Sequence, residues 1–167
     1  MLILGIDPGL ALMGYGLIEC ADNNLTAIDY GVISTPANET ITDRLCIIYS
    51  ELTAIIQRYN PSEVAIENFI AKNLRTALIV GQARGVAVLA AGQKGLPVYD
   101  YSPLLVKQQV AGYGRGSKIQ IQQMVKLQLG LDSIPEPDDA ADALAIAICH
   151  IQQSSAARLI AESEGDS

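Results

Sequence analysis

Residues 2–6 form an unbroken apolar run, Leu-Ile-Leu-Gly-Ile, closed by Asp7-Pro8-Gly9. An apolar run this short, ended by turn residues, predicts a buried strand. Positions 12–19 alternate loosely, with Leu12, Gly14, Gly16 and Ile18 set against Met13, Tyr15 and Leu17, as a second strand would. After the turn signal Asp22-Asn23-Asn24, residues 25–35 read as a third strand, and the short turns favour an antiparallel meander. Leu45, Ile48, Leu52, Ile55 and Ile56 keep helical spacing over 41–59, and Asn60-Pro61-Ser62 ends that helix. A strand at 63–67, a long helix at 72–93 and a fifth strand at 96–101 follow. Two shorter helices, 103–111 and 117–129, flank a glycine-rich turn at 112–116, and Pro135 and Pro137 introduce a last helix over 138–154. This order predicts an α/β domain over residues 1–153. Its five-stranded mixed sheet is an antiparallel meander followed by parallel strands joined by right-handed crossovers, with helices flanking it. The small, polar, acidic tail at 154–167 is expected to be flexible.

Four carboxylates break this pattern. Asp7 ends the first strand, Glu67 ends the strand Val64-Ala65-Ile66, and Asp139 and Asp142 stud an alanine-rich apolar helix. An unpaired carboxylate taken out of water costs several kcal/mol, about 3–5 when its partner is missing, so a cation or partner is expected. None of the eleven Lys and Arg is adjacent in sequence to these acids. Strand ends in an open α/β sheet converge on one crevice, and residues three apart share a helix face. Hard divalent cations such as Mg²⁺ or Mn²⁺ take oxygen ligands of this kind, and a pair of them can activate water at a phosphodiester. Each acid also has a plain structural explanation. Asp7 suits a turn, Glu67 could end an edge strand, and Asp138 and Asp139 suit a helix start. Asp142, one turn into the helix between alanines, is the hardest to explain structurally.

The net charge of −7 opposes general affinity for nucleic acid, but the charge is unevenly spread. Residues 72–126 hold eight basic residues and one acid, net +7, while the remainder, with 17 acids and three bases, is net −14. Such asymmetry fits one face made for a polyanion. Cys20, Cys46 and Cys149 show no CxxC spacing, which argues against a zinc site or disulfide frame and for reduced thiols in a cytoplasmic protein. No signal peptide or transmembrane helix is expected.

The chain resembles the RuvC family of Holliday-junction resolving endonucleases. The matching runs, in family order, are Leu4-Gly5-Ile6-Asp7-Pro8-Gly9 with Gly14-Tyr15-Gly16, Ala65-Ile66-Glu67, Ala71-Lys72-Asn73, and Gly81-Gln82-Ala83-Arg84-Gly85. Val106-Lys107-Gln108, Lys118 and Asp139-Ala-Ala-Asp142-Ala-Leu-Ala-Ile-Ala complete the set. The resemblance implies a ribonuclease-H-like fold and a homodimer that nicks four-way DNA junctions symmetrically, leaving 5′-phosphate ends, in recombination and repair. It implies two Mg²⁺ per subunit, replaceable by Mn²⁺, on Asp7, Glu67, Asp139 and Asp142. Lys107 and Lys118 match family lysines at the scissile phosphate, and the RuvA/RuvB branch-migration complex is the implied partner.

Phe69, the sole phenylalanine, is placed as a junction wedge, although the loop from Glu67 to Lys72 is one residue shorter than the family's usual spacing. Lys72, Asn73, Arg75, Arg84 and Arg115 are the further expected DNA contacts. Small residues at Ala77, Gly81, Gly85 and Ala87 make helix 72–93 a candidate dimer helix. Two other functions are compatible with the same residues: a ribonuclease-H-like nuclease acting on RNA or RNA–DNA hybrid, and a catalytically silent junction-binding module.

Overall fold

A computed structural model describes residues 1–68, 73–112 and 116–165, excepting the side chains of 158–165. Strands β1 (Leu2–Asp7), β2 (Leu12–Ala21) and β3 (Asn24–Ser34) precede helix α1 (Ile41–Tyr59). Then come β4 (Glu63–Glu67), α2 (Leu74–Gln93) and β5 (Val98–Tyr101). Helices α3 (Pro103–Ala111), α4 (Lys118–Gln128) and α5 (Asp138–Gly165) close the chain. The sheet order is β3-β2-β1-β4-β5. β1 runs antiparallel to β2 and parallel to β4, and β4 is parallel to β5, which bears out the mixed sheet expected from the pattern.

Local chemistry explains the element ends. Thr40, Asn73, Ser102 and Ser117 each cap a helix, their side-chain oxygens accepting from backbone N–H groups of the first turn. Asn60 closes α1 in a left-handed conformation. Gly95, at φ 68°, and Leu96, whose N–H donates to the Ala91 carbonyl, belong to the turn that closes α2. β5 therefore starts at Val98, two residues later than expected. α5 is longer than its apolar pattern predicts and runs past 154 to Gly165. No Gly or Pro interrupts 154–164, and Ala, Arg, Leu and Glu there are good helix formers.

Strand alternation splits the core in two. Ile3, Ile18, Ala65 and Tyr101 face α3, α4 and α5. Leu4, Ile6, Leu17, Val64 and Ile66 face α1 and α2. α5 lies directly on the sheet because Gly5, Gly14 and Gly16 carry no side chain beneath it. A Cβ at Gly5 would stand 2.1 Å from the Ala143 carbonyl oxygen, and one at Gly14 would stand 2.0 Å from that of Asp139. Farther along α5, His150 is 1 % exposed. Its Nε2 lies 2.6 Å from Glu63 Oε2 and its Nδ1 2.6 Å from Tyr101 Oη. A carboxylate only accepts, so in a neutral ring Nε2–H donates to Glu63 and Nδ1 accepts from the Tyr101 hydroxyl. This buried chain ties α5 to β4 and β5 and gives the only histidine a packing role.

α2 is two-faced in another sense. Ala83, Ala87, Ala90 and Ala91 are buried against α1 and the sheet. Leu74, Leu78 and Leu89 are 75 %, 60 % and 53 % exposed, and Gly81 and Gly85 have nothing within 4 Å of a built Cβ. By length and composition alone α2 could also cross a membrane.

Candidate active site

Asp7 and Glu67 leave the sheet side by side. Ile6 pairs with Ile66 in the parallel β1–β4 ladder, so the next residue on each strand is an acid, about 4.8 Å apart between strands. Both follow the parity of Ile3 and Ala65, which puts them on the α5 face. β4 is an interior strand, so Glu67 does not end an edge. Asp7 pairs across the other ladder with Gly14, and the Asp139 backbone rests on that glycine. The start of α5 is thereby seated over the end of β1, and Asp142 follows on the same helix face.

The four acids lie in one another's fields. Burial pushes the Asp7 carboxyl up to about 8, and the neighbouring charges of Glu67, Asp142 and Asp139 push in the same direction. Glu67 is raised first by burial and then by Asp142, with Lys107 opposing. Asp142 is raised by burial, with Lys118 opposing. Among the described residues, no group of three or more acidic, histidine or cysteine side chains is arranged to hold an ion. The donor set nevertheless fits a hard divalent cation. It is all carboxylate, with no histidine or thiol among the four, and the burial and neighbouring acids that raise Asp7 outweigh the opposing charge of Lys118.

A cavity of about 270 Å³ opens beside these acids. Glu67, Asp142, Lys107 of α3 and Lys118 of α4 line it, together with the apolar Val106 and Ile121. Asp139 also lines a neighbouring depression with Glu136, Pro137 and Asp138. Lys118 heads α4, which a reciprocal Ser117–Gln120 capping box fixes. Its Nζ lies 3.1 Å from Asp138 Oδ2 and 3.3 Å from Asp142 Oδ2. Gln122, only 7 % exposed, donates from Nε2 to Asp138 Oδ1 at 2.8 Å. Asp138 reads in sequence as a helix-start residue; its carboxylate instead binds α4, and neither Asp138 nor Gln122 stands out from the sequence as a site residue. The adjacent acids at 138 and 139 were the available signal.

The other expected residues are more dispersed. Asn73 accepts from Thr76 N–H at 2.9 Å as the α2 cap, and Arg75 is exposed in the first turn of α2. Arg84 is paired with Asp100 on β5. Phe69, Lys72 and Arg115 lie outside the described residues.

The sequence profile of RuvC, crossover junction endodeoxyribonuclease, matches residues 3–150. The chain belongs to the RuvC family. It is 60 % identical over 151 residues to the RuvC crossover junction endodeoxyribonuclease of Desulfitobacterium hafniense strain DSM 10664 / DCB-2, covering 90 % of this chain and 92 % of that protein. It is 56 % identical over 151 residues to the RuvC of Halothermothrix orenii, with the same coverage of both chains. The structure of T. thermophilus RuvC in complex with Holliday junction substrate superimposes with a TM-score of 0.86 at 35 % identity, over 90 % of this chain and 93 % of that one. A yeast mitochondrial Holliday junction resolvase, at 14 % identity and a TM-score of 0.63 over 88 % of this chain and 77 % of that one, shares the fold. As a RuvC protein the chain has a ribonuclease-H-like fold and is a junction nuclease of recombination and repair.

Proposed function

We propose that this RuvC protein resolves four-way DNA junctions by paired, symmetric, cation-dependent nicks that leave 5′-phosphate ends. The observation that supports this reading most is the cleft in which Glu67 and Asp142 stand with Lys107 and Lys118, next to an Asp7 that feels the charges of Glu67, Asp142 and Asp139. The four acids would hold divalent cations, Mg²⁺ in the cell with Mn²⁺ as a substitute and two per subunit. Bound there, the cations supply Lewis acidity toward a phosphodiester oxygen and an activated water. Lys107 and Lys118 meet the scissile phosphate as positive charge placed before the reaction begins. Val106 and Ile121 line the cleft and limit water beside those charges.

The exposed stripe of α2 supports a homodimer. Leu74, Leu78 and Leu89 offer apolar area, and Gly81 and Gly85 allow close approach of a second helix. A two-fold dimer presents two clefts to a two-fold junction. Phe69, Lys72 and Arg115 are the proposed wedge and backbone contacts, with Arg75 on the exposed start of α2, and RuvA/RuvB is the proposed cytoplasmic partner complex. The test is Mg²⁺-dependent cleavage of a panel containing a four-way junction, a flap, an RNA–DNA hybrid and single strands. Paired nicks in the junction alone, lost in Asp7→Asn, are expected. Preferential cleavage of the hybrid, or junction binding without cleavage, would overturn the proposal.

A further inference from the structure

We infer that Asp138 is a positioning residue for the reaction, holding the Lys118 ammonium at the cleft once Asp142 is engaged by a cation. The inference rests on the proposed role of Lys118 at the scissile phosphate. Lys118 has two carboxylate partners, Asp138 at 3.1 Å and Asp142 at 3.3 Å. They differ in what they can offer during turnover. Asp142 belongs to the acid cluster, and a cation bound there would compete with the ammonium for its charge. Asp138 faces outward, 61 % exposed, and its nearest partners are Lys118 and Gln122.

Gln122 makes Asp138 more than a passing surface partner. Its amide is nearly buried, sits one turn after Lys118 on α4, and fixes Oδ1 at 2.8 Å, which leaves Oδ2 aimed at the ammonium. One carboxylate thus binds two residues of α4 four positions apart, Lys118 and Gln122, to the first residue of α5. A lysine stem has four rotatable carbons, and an anchored head loses that freedom before substrate arrives.

The test uses the full-length protein, a four-way junction and Mg²⁺. Asp138→Ala and Asp138→Asn are compared with Lys118→Ala and with the Asp138→Ala/Lys118→Ala double variant. Asn at 138 still accepts from Gln122 but gives no carboxylate to the lysine. Removing Lys118 is expected to slow cleavage roughly 10²-fold, and either Asp138 variant roughly tenfold, in kcat rather than junction affinity. In the Lys118→Ala background the Asp138 change is expected to have no further effect. In DNA-free protein with Ca²⁺ added, amine acylation of Lys118 read by mass spectrometry is expected to speed up roughly threefold in Asp138→Ala. Additive effects, full activity of Asp138→Ala beside a slow Lys118→Ala, or unchanged acylation overturns the inference and leaves the Lys118 reading intact. Full activity of Lys118→Ala overturns that reading, and the inference with it.

Discussion

The backbone carbonyl of Asp139 rests on Gly14, so closely that a Cβ at Gly14 would come within 2.0 Å of its oxygen. Gly14 is also the ladder partner of Asp7. Gly14, with Gly5 farther along the helix, therefore sets the height of α5 above the strand that carries Asp7. The atom in the way is backbone and cannot swing aside. Gly14→Ala is expected to destabilise the fold by about 1–3 kcal/mol and to lower cleavage more than tenfold by lifting Asp139 and Asp142. Chemical denaturation and single-turnover kinetics check the two effects; wild-type values in both would refute this account of how α5 is seated.

Gly81 is the contrasting case, with nothing near its missing Cβ. Gly81→Ala is expected to stabilise an isolated subunit by up to about 1 kcal/mol through helix propensity. Gly81→Leu, filling the approach surface, is expected to shift sedimentation toward monomer. A dimer unaffected by Gly81→Leu would place the two-fold contact away from this stripe.

The Asp7 carboxyl gives a pH signature with a definite sign. Folded and metal-free, Asp7 keeps its proton up to about pH 8; unfolded, it loses it near the ordinary value of 3.8. The folded state holds more protons across that window, so stability contributed by Asp7 falls as pH rises through it. Asp7→Asn is expected to be more stable than wild type at pH 8 by on the order of 2–5 kcal/mol, with the gap closing toward pH 4. Mg²⁺ is expected to reverse the ranking, and its affinity for wild type to rise with pH up to about 8. Parallel melting curves for the two proteins from pH 4 to 8 without metal would contradict the placement of Asp7.

Lys107 opposes the upward push on Glu67 across the cleft. Lys107→Ala is expected to lower cleavage roughly 10²-fold while changing junction affinity only a few-fold, since it removes one charge from the reacting centre and none from the rest of the DNA-binding surface. Gel shifts in Ca²⁺ beside single-turnover rates in Mg²⁺ separate these outcomes. A loss confined to binding would make Lys107 an ordinary backbone contact.

Much of the molecule was legible because its signals were local. The apolar run before Asp7 and the helical spacing of Leu45 to Ile56 each fix an element within a few residues. The acids were visible as polar interruptions of apolar segments. Contacts set by how helices lie on the sheet were not visible. The pairing of Asp138 with Lys118 and Gln122 spans 16 to 20 positions and depends on the crossing of α4 and α5. The chain from Tyr101 through His150 to Glu63 joins three elements that no periodicity links. The extension of α5 was hidden because its last turns carry no apolar stripe for pattern reasoning to follow.

α5 lies on β1 and β2 with almost no volume in reserve, glycines below and alanines above. A tight floor of this kind constrains change over time unevenly. Substitutions beneath Asp139 and Ala143 meet backbone and have no neutral route, whereas the rim formed by α3 and α4, Lys107, Lys118 and Gln122 apart, also carries exposed side chains such as Leu104, Ile119 and Leu127 that can be exchanged singly. The acid-bearing floor is expected to stay fixed across descendants of this sequence while the rim drifts. New preferences for DNA sequence or junction shape would then arise at the rim, on an unchanged bed of carboxylates.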